Sequence, residues 1–165
     1  MNQNIPRFTG AVWLTMLLAV LLNNLPISDE WAAWKPDWVA LALLHWSLVL
    51  RQDSNLFMAF FMGLLTDVLS GSLLGQFALG YVIVSYFSVR LSLRMTPDSF
   101  IQQFALVFIV IGVFMLANLW IREIMGRLGQ ASAGLAYWAP LVSSLLLWPV
   151  YHWLLSYFYR PRKVA

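Results

Sequence analysis

Residues 55–89 read NLFMAFFMGLLTDVLSGSLLGQFALGYVIVSYFSV and hold a single charged residue, Asp67. Two apolar runs flank Gly71-Ser72-Leu73-Leu74-Gly75, which has the composition of a tight turn. Neither run keeps a polar face for water. A hydrocarbon core about 30 Å thick is crossed by about 20 apolar residues, each rising about 1.5 Å. The stretch therefore predicts two membrane helices, over about 55–70 and 74–93, joined by the glycine turn. Arg90 and Arg94 mark the end of the second.

Working outward, charges set the other boundaries. Phe8 to Leu25 is uncharged, preceded by Arg7 and followed by Pro26, Asp29 and Glu30, which predicts a first helix over about 8–25. A cleaved signal peptide fits less well, because its apolar region is roughly 7–15 residues long and Leu25-Pro26-Ile27 lacks a small-residue cleavage site. Trp38 to Leu50 is short between Asp37 and Arg51; extended back past Trp34 it gives a helix over about 34–50, with Trp31 and Trp34 at headgroup depth. Pro36 and Asp37 then suit its first turn. Arg51-Gln52-Asp53-Ser54 is a polar turn able to cap the third helix. Helices two and three are marginal spans, and a re-entrant hairpin is the other reading. Thr96, Pro97 and Asp98 start a fifth helix over about 98–122, closed by Arg122, Glu123 and Arg127. After a glycine-containing linker, Gly126 to Gly134, a sixth runs over about 135–159, started near Pro140 and bent at Pro149. The expected fold is an all-α integral membrane protein of six transmembrane helices, one domain over 1–165.

Composition agrees. Hydrophobic residues make up 61% of the 165, against roughly 45–50% in soluble domains, and charged residues 10%, against about 25%. With no cysteine, disulfide frameworks, thiolate metal sites and cysteine nucleophiles are excluded. The net charge of +3 comes from scattered basic residues that form no stripe, so no nucleic-acid partner is expected. With six spans and both termini in the cytoplasm, Arg7, Arg51, Arg90, Arg94, Arg160, Arg162 and Lys163 lie inside, while Lys35, Arg122 and Arg127 lie outside. That asymmetry is the one cytoplasmic loops carry.

A carboxylate inside a span costs about 2.5–3.5 kcal/mol at mid-membrane and less near the ends. Asp67 is therefore expected at a helix end beside the Gly71 turn, with an ion-linked or partner-pairing role as the alternative. His45 would reach Asp67 if helices two and three packed antiparallel, an arrangement resembling a proton relay; a hydrogen-bonded packing histidine is the plainer reading. Gly63, Gly71, Gly75 and Gly80, with Ala59, Ala78 and Ser85, supply small side chains for close helix approach. Gly71 and Gly75 bracket a turn, which argues against a helix-dimer motif. Asn118 suits either an interhelical hydrogen bond or a cavity wall. No nucleophile elbow, paired carboxylates, metal-binding His pair or phosphate loop is present, so neither enzyme activity, cofactor nor metal is expected. His45 and His152 stand far apart in sequence without ligand-type neighbours at metal spacing.

Trp34-Lys35-Pro36-Asp37-Trp38-Val39, the run to His45-Trp46, and Phe61-Met62-Gly63-Leu64-Leu65-Thr66-Asp67-Val68-Leu69-Ser70-Gly71-Ser72-Leu73-Leu74-Gly75 together resemble the rod shape-determining MreD family. Ala78-Leu79-Gly80-Tyr81 to Tyr86 fits as well; elsewhere the agreement is in pattern. Lys35 stands where the family often has arginine. The resemblance implies a bacterial inner-membrane subunit of the elongation machinery that maintains rod shape. It implies binding to the bitopic protein MreC and, through it, links to MreB filaments and to a RodA-type glycosyltransferase with its transpeptidase in peptidoglycan synthesis. It also implies a fold similar to the substrate-binding subunits of energy-coupling-factor transporters, with room for a pocket near the outer face. Pro36, Asp37, Trp38, Asp67, Gly71 and Gly75 are the motif positions, expected in interface or fold roles. Two functions follow: a scaffold, which is open to self-association, or a small-molecule or lipid-precursor binding and transport subunit with Trp38, His45, Asp67 and Asn118 around a cavity. The scaffold is preferred because small-residue packing outweighs convergent polar groups.

Overall fold

The computed structural model describes residues 9–26, 28, 34–50, 55–94, 99–124 and 135–158. Among the described residues there are six α-helices and no strand: α1 (Thr9–Asn24), α2 (Trp38–Leu50), α3 (Asn55–Ser70), α4 (Gln76–Ser92), α5 (Phe100–Ile124) and α6 (Ala139–Phe158). A 3-10 turn over Leu135–Trp138 leads into α6, and the Tyr137 hydroxyl pins it to α5 by donating to the Met115 carbonyl at 2.7 Å.

The bundle is built around α2. Every residue from Val39 to Ser47 is buried, and α2 packs against each of the other five helices. A helix that is apolar all round belongs in a protein core or in lipid, and α2 is covered by protein. α2 therefore has no need of a lipid-facing side over Val39–Ser47. The remaining helices turn one face to the centre and expose another that is equally apolar. Leu14 and Leu21 on α1, Phe57 and Phe61 on α3, Ile101 and Trp120 on α5, and Leu146 and Trp153 on α6 all point outward. In water such faces would associate; in lipid they are the solvated surface. Within α5, the 22 residues Phe100–Ile121 are long and apolar enough to cross a membrane by themselves.

α3 and α4 make the closest approach. A Cβ placed on Gly63 would lie 2.2 Å from the Ala78 Cα, so any side chain there forces the two backbones apart. Gly80 gives α5 the same access, since its Cβ would meet the Phe114 ring at 2.5 Å. Membrane helices attract one another through contact rather than a hydrophobic effect, so backbone proximity is where their packing energy arises.

Two boundaries differ from the sequence reading. α2 begins at Trp38, so Trp34, Pro36 and Asp37 precede the helix instead of forming its first turn. The cause is the Asp37 carboxylate, which accepts the Ala40 N–H at 3.0 Å and so acts from the position just outside the helix. The sixth segment is helical in two registers, the 3-10 turn and then α6, with Pro149 inside α6. Arg7, Asp29, Glu30, the Arg51–Ser54 turn, Thr96 to Asp98, the linker from Gly126 to Gly134, and Arg160, Arg162 and Lys163 lie outside the described residues.

Candidate functional site

Two carboxylates, the half-buried Asp37 and the buried Asp67, organise polar groups of the bundle, and each caps a helix start. The first four N–H groups of a helix have no partner within it, and its N-terminus carries partial positive charge. A carboxylate placed there answers both needs without a cation.

At the α1–α2 corner, Asp37 Oδ1 accepts the Ala40 N–H and, at 2.9 Å, the Asn23 side-chain amide. The Tyr81 hydroxyl, reaching in from α4, donates to both Asp37 oxygens at 3.0 Å. Asn23 closes the corner from the other direction: its Oδ1 accepts the Trp38 N–H at 2.9 Å. Lys35 donates to the carbonyls of Asn23 and Leu25 at the end of α1, where a cation suits the negative end of the helix dipole. Pro36 is buried between the two capping residues and Trp38 is the first helical residue. Lys35 and Asp37 both lie ahead of α2. Burial holds the Asp37 carboxyl above the usual carboxylate range, opposed by its donors from Ala40, Asn23 and Tyr81. Desolvation pulls the Lys35 ammonium below its usual value, opposed by the nearby Asp37 charge.

At the α3–α4 turn, Asp67 does for α4 what Asp37 does for α2, but from a neighbouring helix. Its Oδ1 accepts the Ser72 hydroxyl at 2.8 Å and the Phe77 N–H at 2.9 Å; its Oδ2 accepts the Gly75 N–H at 2.9 Å and the Ala78 N–H at 3.3 Å. The Asp67 carbonyl also takes the Ser72 N–H at 3.1 Å, across Gly71 at φ +59°. That is the bond by which a left-handed residue ends a helix. Gly75, at φ +99°, turns the chain into α4 in a conformation L side chains rarely adopt. The two glycines and the aspartate thus form one turn, with the carboxylate at its centre.

The other polar candidates go elsewhere. Asn118 on α5 accepts from the Gln76 side chain at 3.0 Å and donates to the Phe114 carbonyl, which ties α5 to the start of α4. His45 does not meet Asp67. Its Nδ1 lies 3.1 Å from Nδ1 of His152 on α6, a contact across 107 positions of sequence. One hydrogen serves that contact, so one ring donates and the other accepts. His45 Nε2 and Trp148 Nε1 are buried and unpartnered within the protein. Trp38 packs on Tyr151 of α6, with ring centroids 6.0 Å apart. His45, Asp67 and Asn118 therefore take three separate sets of partners. Among the described residues no group of three or more His, Asp or Glu is placed to hold a metal ion.

Sequence reasoning missed Asn23, Tyr81, Ser72, Gln76 and His152 as partners. Each is a polar residue in or beside an apolar run, which is the signal that was available.

The family model described as rod shape-determining protein MreD matches residues 6–158. The chain belongs to the MreD family. MreD is a membrane protein family of shape-determining, non-catalytic function, and membership gives this chain a role in rod shape determination and an association with the rod-shape machinery. The two carboxylate-capped turns are thus features of an MreD bundle. No solved structure matches this MreD chain.

Proposed function

We propose that this MreD family member is a six-span scaffold of the bacterial inner membrane, with both termini in the cytoplasm. It binds an MreC-like bitopic protein and through it links MreB filaments to a RodA-type glycosyltransferase and its transpeptidase, so that peptidoglycan is laid down along a rod. The likeness to energy-coupling-factor substrate-binding subunits is part of this proposal as a matter of fold. One observation carries the scaffold: the carboxylates of Asp37 and Asp67 are engaged with backbone N–H groups at helix starts, which leaves the outward apolar faces as what the molecule offers to partners.

A second reading, a small-molecule or lipid-precursor binding subunit, has the unpartnered His45 Nε2 and Trp148 Nε1 on its side. The two readings separate on His45→Phe/His152→Phe. Each single change strands the remaining imidazole, at a cost of about 1–3 kcal/mol, whereas the double change removes both partners together. The scaffold predicts that cells carrying the double variant, at normal protein level, keep their rod shape and width. A stable, abundant double variant that yields round cells would favour the binding subunit.

A further inference from the structure

One outward face of α4 passes, in steps of three or four residues, through Leu79, Ile83, Tyr86, Arg90 and Arg94. Ile83 is half-buried and the other four are exposed. Apolar, then aromatic, then cationic is the order of a bilayer leaflet from its middle to its headgroups. The 11 positions from Leu79 to Arg90 rise about 16 Å, close to half of a hydrocarbon core of about 30 Å.

The two arginines stand one turn apart on the same face, where like charges repel. Among the described residues neither guanidinium has a hydrogen bond or an ion pair. The negative end of the helix dipole accounts for a cation in the last turn of α4, yet Arg90 does not donate to the terminal carbonyls. Its guanidinium lies over the Tyr86 ring instead, with Cζ 5.5 Å from the ring centroid. A guanidinium held against a ring face keeps the N–H donors at its edge free for a two-pronged contact with a phosphate. Two uncompensated cations at the foot of an apolar face fit a ligand with an anionic head and a hydrocarbon tail. A free phosphate would satisfy the arginines alone; a phospholipid also covers Leu79 and Ile83.

We propose that Arg90 and Arg94 hold the phosphate of one anionic phospholipid, whose acyl chain lies along Leu79, Ile83 and Tyr86 of α4. This rests on the membrane-spanning reading above and not on the identity of any protein partner.

The full-length protein, purified in neutral detergent, is titrated with dioleoyl phosphatidylglycerol or dioleoyl phosphatidylcholine, and bound lipid is counted by native mass spectrometry. The variants are Arg90→Gln, Arg94→Gln, the two together, and Arg162→Gln/Lys163→Gln, which removes the same charge from the C-terminal tail. The expected result is one phosphatidylglycerol held in preference to phosphatidylcholine, weakened roughly fivefold by each single change and further by the pair. The tail variant should bind as the parent does, and excess inorganic phosphate should not displace the lipid. Arg90→Lys, which keeps the charge and the fold but loses the fork, should weaken binding less than Arg90→Gln. A parent without preference for phosphatidylglycerol overturns the proposal. So does a preference that falls as far in the tail variant as in the Arg90→Gln/Arg94→Gln pair, because total charge and not a site would then attract the lipid. Displacement by inorganic phosphate overturns it in favour of a free anion. Release of the native chain from membranes by alkaline carbonate overturns the membrane-spanning reading, whereas retention without lipid preference overturns the lipid site alone.

Discussion

Asp67 is a buried acid whose partners are a serine hydroxyl and three backbone N–H groups. Removal of its side chain leaves the start of α4 without an acceptor in a place water does not reach. Asp67→Ala is therefore expected to destabilise the protein by about 2 kcal/mol or more, read as a lowered melting temperature of the purified protein in detergent. Asp67→Asn, which keeps one acceptor oxygen, should fall between the two. An Asp67→Ala protein as stable as the parent would mean that α4 is not held by this carboxylate. The same logic makes Asp67 a poor probe of ligand binding, since its loss disturbs the fold first. Asp37 follows the rule at the α1–α2 corner, with Asn23 and Tyr81 as its additional donors. Its place before the first residue of α2 was not legible in the apolar pattern, because proline and aspartate are favoured both just outside and just inside a helix start.

At the scale of elements, α3 and α4 are held by two kinds of glycine that act through different physics. Gly71 has open space around its Cα, so Gly71→Ala costs only the strain of a left-handed residue, about 1–2 kcal/mol. Gly63 faces the Ala78 backbone, so Gly63→Ala must separate two helices and should cost more than Gly71→Ala. Melting of the two variants in the same detergent checks the order; a more damaging Gly71→Ala would show that the turn, and not the close approach, limits the pair. Charges made the elements legible because lipid tolerates so few of them, and the Gly71–Gly75 run because it has turn composition. What the pattern did not show was which helices meet: His45 and His152 come within hydrogen-bond distance only through the wrapping of α6 onto α2. That packing follows from the whole bundle, and no local periodicity encodes it. A His45–Asp67 pair is the alternative that antiparallel packing of helices two and three would allow, and His45 meets His152 instead.

At the scale of the whole molecule, an all-round buried α2 inside five helices with apolar outer faces describes a bundle that has satisfied its own polar groups at the helix starts and faces lipid or protein helices elsewhere. The proposed six spans rest on the uncharged runs, and the proposed orientation on seven basic residues on one side against three on the other. Single cysteines at Asn2, Ser54 and Ser132 should then label differently with a membrane-impermeant maleimide added to intact spheroplasts: position 132 reacts, and positions 2 and 54 react only after permeabilisation. Labelling of position 2 from outside would reverse the orientation.

The scaffold itself is tested most directly by photocrosslinking in living cells, with a photoreactive residue placed singly along the outward faces of α1, α3, α5 and α6 and at His45 and Asp67. A scaffold gives crosslinks to a bitopic membrane protein concentrated on one outward face. Crosslinks confined to lipid or a small molecule around His45 and Asp67, with none to protein from any outward face, would contradict it.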